Sequence, residues 1–140
     1  MTLHVRTARI GAKGLTDALD ITRKSATGDG LAFAPSGALL WPTVAEMKRA
    51  DELRLKAETL AVQHEGTVAL ARCWWGYVAS YAAEMKANRQ RDPEPWGRLL
   101  SRESVTLLCY CTDPNRCHRT LLGAMLLPRM GAVYEGEVRT

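Results

Sequence analysis

The segment Val105-Thr-Leu-Leu-Cys-Tyr-Cys111 constrains this chain most. It is almost continuously apolar, as expected of a strand covered on both faces rather than one alternating between core and water. Thr112-Asp-Pro-Asn115 breaks it, and Asn115 is a suitable N-cap for a helix over 116–127. Pro128 and Gly131 stop that helix, and Ala132-Val-Tyr-Glu-Gly-Glu-Val138 reads as a second strand. Strand, helix and strand fill about 35 residues, the size of one βαβ unit. Its crossover is expected to be right-handed, which makes the two strands parallel. The fold class that follows is α/β, an open and largely parallel sheet with helices on both faces.

The rest of the chain agrees with this class. Leu3–Ile10 reads as a strand, and residues 17–23 as a second short extended piece or a loop. Lys24–Gly30 is turn chemistry, and Ser36 suits the cap of a short helix over 37–41. Thr43 with Glu46 forms a capping box that predicts a helix to about His64, closed by Gly66. A second helix is predicted over 67–88, with Ala71, Trp74, Trp75, Val78, Tyr81 and Met85 facing the core. Arg91–Pro95 is a stop, and Trp96–Leu100 makes one or two turns. The 140 residues suit one domain spanning 1–140, with a core that needs no staples. No apolar run reaches the length of a membrane span. The start, Met1-Thr-Leu-His-Val-Arg6, has no signal-peptide pattern. The expected location is the cytoplasm, with no membrane partner.

Lys and Arg total 19 against 15 Asp and Glu, a net charge of +4. That permits a phosphate-bearing small molecule or nucleic acid as partner without demanding one. In an open parallel sheet, ligands bind beyond the carboxyl ends of the strands. Cys109-Tyr-Cys111-Thr-Asp-Pro-Asn-Arg-Cys117-His118-Arg119 falls there. Strand periodicity puts Cys109 and Cys111 on one face, and Cys117 and His118 fall in the first turn of the next helix. Arg116 and Arg119 supply donors suited to phosphate. Cys117 is the candidate nucleophile, its thiolate favoured by the helix start, and His118 the candidate acid–base group. Zinc ligation by Cys109, Cys111, Cys117 and His118 is the alternative, although C-x-C-x5-C-H is not a usual paired-knuckle spacing. Plain burial of three small sulfurs, with Arg119 in an ion pair, and a redox role are the other readings. A phosphatase-type loop is excluded: the position six after Cys109 is Asn115, and six after Cys111 is Cys117, neither an Arg.

Asp20-Ile-Thr-Arg23-Lys24 is a second polar group. Asp20 could orient a base or ribose, and Arg23 or Lys24 could meet phosphate. Glu135 and Glu137, two apart on the last strand, suit acid–base work or an exposed strand face. Trp74, Trp75 and Tyr81 could stack bases, though helical spacing suits core packing. His4 and His64 have no partner legible in sequence.

Leu107–Leu122 with Gly131-Ala-Val-Tyr-Glu-Gly-Glu137 resembles the signature of domain-of-unknown-function family 488 (DUF488), small intracellular proteins of bacteria and their phages. Asp20–Lys24 and Phe33-Ala-Pro-Ser36 are similar to the N-terminal motifs of one branch. The resemblance implies a Rossmann-like α/β fold and carries no settled reaction with it. Cys109, Cys117, His118 and Arg119 match the shared motif, whereas Cys111 is typical of only part of the family. That favours a site built from Cys117, His118, Arg119 and the helix start over a four-ligand zinc site, and no cofactor is expected. Two functions stand side by side. One is an enzyme acting on a nucleotide or nucleic acid. The other is a non-catalytic binding or adaptor module with a structural, zinc-compatible Cys/His cluster. A host protein is a candidate partner if the chain is phage-derived, and a stable homodimer would favour the binding module.

Overall fold

The computed structural model describes residues 2–139. Four strands form one sheet in the order β2-β3-β1-β4: β1 (His4–Arg9), β2 (Ala18–Asp20), β3 (Ser104–Cys109) and β4 (Val133–Val138). Every pair is parallel, with Val5 opposite Val105, Leu19 opposite Leu107 and His4 opposite Val133. This is the α/β, Rossmann-like class expected from the sequence. β3 and β4 are parallel as the βαβ reading required, but β1 lies between them, so their crossover spans one strand. Central placement explains why β3 is apolar along its length: Val105, Leu107 and Cys109 are all buried. β1 is central too, with Val5, Thr7 and Ala8 buried.

The chain divides into two compact units, one made of the described residues up to Pro35 and from Glu84 onward, the other of Ser36–Ala83. The first holds the sheet. Its core includes Leu3, Ile21, Phe33, Trp96, Leu99, Leu122 and Leu127. Phe33 and Trp96 meet edge to face, their ring centres 4.9 Å apart, a favoured aromatic geometry. α3 (Glu94–Leu100) buries Pro95, Trp96 and Leu99. After β3, a 3-10 turn (Pro114–Arg116) precedes α4 (His118–Thr120). The helix then widens into a π turn (Leu121–Leu126) and tightens into a 3-10 turn (Leu127–Met130) that ends at Gly131.

The second unit is helical, and here the boundaries differ from the expected ones. α1 (Gly37–Leu55) begins six residues before Thr43, because Ser36 caps it, its side chain accepting from the Leu39 N–H. Thr43 lies inside the helix and donates to the Leu39 carbonyl at 2.8 Å. The break comes at 56–59, and Thr59 accepts from the Val62 N–H to start α2 (Leu60–Arg91). Gly66 closes no helix. It lies where α2 passes the α1 backbone, and a Cβ there would stand 2.6 Å from the Arg54 nitrogen. Glycine is required by close approach rather than by a cap. On α2, Tyr77 and Tyr81 are buried and stack in series with Trp74, whereas Trp75 is 64% exposed. A step of one residue turns a helix by about 100°, so neighbouring tryptophans cannot share a face. No helix among the described residues is long and apolar enough to cross a membrane.

Candidate functional site

The carboxyl ends of β2, β3 and β4 converge on the Cys-His-Arg segment. β3 ends at Cys109, and the chain leaves through Tyr110 and exposed Cys111. Asp113, rather than Asn115, caps the following turn: its side chain accepts from the Asn115 N–H at 2.9 Å. The helix starts at His118, two residues later than expected, with extended Cys117 in the N-cap position. An Asp before a proline that begins the turn is the stronger capping signal, because it satisfies the turn's own free N–H.

That geometry brings the sequence candidates together. Cys109 Sγ lies 3.8 Å from Cys111 Sγ and 3.8 Å from His118 Nδ1. Cys109, Cys117 and His118 are buried, and their ligand-type atoms lie within 4.8 Å of one another. His118 Nε2 donates to the Ile21 carbonyl at 2.7 Å. A carbonyl only accepts, so Nε2 carries the hydrogen and the Nδ1 lone pair faces the sulfurs. Burial holds the His118 pKa down, against the Ile21 carbonyl bond that raises it.

Arg119 is fully buried and fully engaged. Its Nε and Nη2 donate to the two Glu137 oxygens at 3.1 and 2.9 Å. Its Nη1 donates to the Cys111 carbonyl at 2.9 Å and contacts Cys117 Sγ at 3.3 Å. Burial opposes the charge, yet the Glu137 pair outweighs it and holds the Arg119 pKa above its usual value. Glu137 answers in kind: burial pushes it up, but the bonds from Arg119 and Thr7 bring it below the usual carboxylate range.

The three sulfurs differ in proton affinity. The thiol hydrogen bonds from Cys109 and Cys117, with the Arg119 charge behind them, pull the Cys111 pKa down. Cys109, donating to Cys111, is pushed up to about 11. Burial, then the neighbouring sulfurs, push Cys117 up. The cluster thus favours a thiolate on the exposed sulfur over one on either buried sulfur.

Asp20 lies beside this group, bound within its own loop. Its carboxylate accepts from the Thr22 N–H and hydroxyl at 2.8 and 2.7 Å and from the Ser25 hydroxyl at 2.5 Å. Tyr110 donates to Ser25 at 2.8 Å, and Lys24 sits over the Tyr110 ring at 5.3 Å. Arg23 donates through Nε to the Pro35 carbonyl at 2.9 Å. Arg23, Lys24 and Arg116 are exposed. Glu135 and Glu137 do not act as a pair: the strand bulges at Glu135, followed by Gly136 at φ +107°, and Glu135 lies 3.3 Å from His4. Tyr110, Ser25 and the Ile21 carbonyl were not legible as site groups. Tyr110 alternates away from the cysteines along the strand, and a backbone carbonyl has no sequence signal. A cleft of about 590 Å³ at the α1–α2 turn, lined by Arg49, Leu53, Lys56 and Val62 among others, contains none of these groups.

Fold and site together define a small Rossmann-like α/β protein with a buried sulfur–imidazole–guanidinium centre at the carboxyl edge of its sheet. The chain belongs to the DUF488-N3a family, the active DUF488-N3 subclade, whose family model matches residues 33–130. The matched span contains Cys109 to Arg119 and ends before Glu137. No curated protein and no solved structure matches the chain.

Proposed function

We propose that this chain is an enzyme acting on a phosphate-bearing ligand, a nucleotide or nucleic acid, at the carboxyl edge of its sheet. The carrying observation is the exposed Cys111 thiol, set 3.8 Å from Cys109 on a buried Cys/His/Arg group. Cys111 is the attacking sulfur, because a ligand can reach it and not Cys117, which is 1% exposed. Cys109 and Arg119 position it from below, Cys109 through its thiol and Arg119 through the Cys111 carbonyl, while Cys117 and His118 pack against these two. The exposed cations Arg23, Lys24 and Arg116 meet the phosphate. Asp20 holds the loop that carries Arg23 and Lys24. The family's description as an active subclade supports catalysis, and the place of ligands in open parallel sheets supports this edge.

A second reading, a binding or adaptor module with a structural cluster, is favoured by one observation: His118 and Arg119 are at most 4% exposed, and every Arg119 nitrogen already has a partner. The two separate in one experiment. The full chain is alkylated with iodoacetamide alone and with inorganic phosphate, nucleoside phosphates or short oligonucleotides. The enzyme reading expects a phosphate-bearing probe to slow Cys111 labelling, Arg23→Ala and Arg116→Ala to weaken that protection, and Cys111→Ser to abolish turnover of the protecting compound. Labelling and melting temperature indifferent to every probe would leave the binding module.

A further inference from the structure

Besides supporting Cys111, the buried residues Cys109, Cys117 and His118 bring their ligand-type atoms within 4.8 Å of one another. We infer that Cys109, Cys117 and His118 form a three-ligand site for a thiophilic divalent cation of the zinc class, with the fourth position open on the Cys111 side. The inference concerns the same centre as the proposed enzyme but does not depend on any phosphate-bearing ligand reaching it.

Distance is the first argument. Zinc bonds of about 2.3 Å to sulfur and about 2.0–2.1 Å to nitrogen place neighbouring ligand atoms of a tetrahedron roughly 3.5–3.8 Å apart. Cys109 Sγ and His118 Nδ1 are 3.8 Å apart, and the Cys117 sulfur falls within 4.8 Å of both. An ion would need only small side-chain adjustments.

Orientation is the second argument. A ligating imidazole characteristically gives its other N–H to a carbonyl or carboxylate, which fixes tautomer and ring angle. His118 does this through Ile21, on a different strand connection, and its Nδ1 faces Cys109 Sγ at 3.8 Å. The third ligand has a similar support. Arg119 Nη1 lies 3.3 Å from Cys117 Sγ, and Glu137 clamps the same guanidinium through its other two nitrogens. An N–H directed at a ligating sulfur stabilises its thiolate form.

Charge and chemical type agree. Two thiols and one neutral imidazole suit zinc rather than calcium or magnesium, which prefer oxygen. On binding, two metal–sulfur bonds form, two S–H bonds break, and both protons leave to solvent. Two thiolates then neutralise the divalent ion, while Arg119 and Glu137 neutralise each other. The buried centre carries no net charge, which low-dielectric surroundings favour. Cys111 lies outside the mutually close set, on the solvent side. Two sulfurs, one histidine and an open position form a recurring arrangement of catalytic zinc, distinct from the closed four-ligand sites of structural zinc.

The test uses the full chain, stripped of metal by chelator and titrated with zinc, then with cobalt as a spectroscopic substitute. Expected are one zinc per chain by elemental analysis, sulfur-to-cobalt charge-transfer absorption, and the release of two protons per zinc bound. Cys109→Ser, Cys117→Ser and His118→Gln should each lose stoichiometric binding, while Cys111→Ser should retain it. Because a buried substitution can unfold the chain, circular dichroism accompanies each variant, and the cobalt charge-transfer absorption of the unmodified protein provides a readout that needs no variant. Absence of stoichiometric zinc would overturn the inference, as would unchanged binding in folded Cys117→Ser. Loss of zinc in Cys111→Ser would overturn the open fourth position. Neither result depends on turnover or phosphate, so this site and the proposed enzyme can fail separately.

Discussion

Replacing Glu137 by Gln removes the only carboxylate that, among the described residues, pairs with the Arg119 guanidinium. Arg119 is 0% exposed, and its side-chain pair with Glu137 is bidentate at 2.9 and 3.1 Å. The neutral amide keeps the shape and one acceptor oxygen but leaves the buried cation without the carboxylate charge that offset it. Breaking a buried ion pair from one side costs about 3–5 kcal/mol, because the surviving charge stays desolvated. Glu137 is 16% exposed in its side chain, so the lower end applies, about 3 kcal/mol. For a domain of this size that is a fall in melting temperature of about 10 °C. Urea and thermal unfolding followed by circular dichroism measure it. The companion is Arg119→Met with Glu137→Leu together, which removes both charges and should recover to within about 1 kcal/mol of the parent. The reasoning is refuted if Glu137→Gln costs under about 1 kcal/mol, the range of a solvated surface pair. It is also refuted if the double variant is no more stable than the single one.

The same carboxylate sets an acid limit. Glu137 is held below its ordinary value of 4.5, so its contribution is complete above that pH and is lost as pH falls through the lower folded value. Asp17, where burial is outweighed by bonds from Ser104 and Thr106 and by Arg6, lies below 3.8 and acts in the same direction. Urea midpoints should therefore fall steadily from about pH 4.5 downward, with a shallower slope in Glu137→Gln. A pH-independent midpoint would contradict both assignments. Gly66→Ala should destabilise the helical unit by about 1–3 kcal/mol, since its methyl meets the Arg54 backbone and one helix must move. Unchanged stability would show that α1 and α2 do not pass so closely. In metal-free protein at neutral pH, mass spectrometry after brief alkylation should find Cys111 modified first and Cys117 last. The reverse order would refute the placement of charge on the exposed sulfur.

Local pattern carried much of the fold. An uninterrupted apolar strand, a loop with Asp and Pro, a helix and a second strand identify a parallel α/β unit, because apolar coverage on both faces and crossover handedness act over short stretches. The same pattern placed Cys117, His118 and Arg119 beyond a strand end, where the structure has them, but it ran the strand on to Cys111, whereas β3 ends at Cys109 and Cys111 turns out to solvent. Element boundaries fared worse where two local signals competed. Ser36 and Thr43 are both good caps, and only packing decides between them. Gly66 reads as a stop, yet it serves a close passage of one helix past another.

Sequence alone determined the sheet class, the ligand-type residues and their place at the carboxyl edge, since each follows from periodicity and residue chemistry. Tertiary structure decided how those residues divide the work. It inserted β1 between β3 and β4, gave Arg119 to Glu137, turned His118 through the Ile21 carbonyl, and left Cys111 exposed while Cys117 went under. These outcomes depend on strands and loops far apart in the chain meeting at a few ångströms. Proton affinity, charge pairing and access are properties of that meeting, and no residue carries them alone.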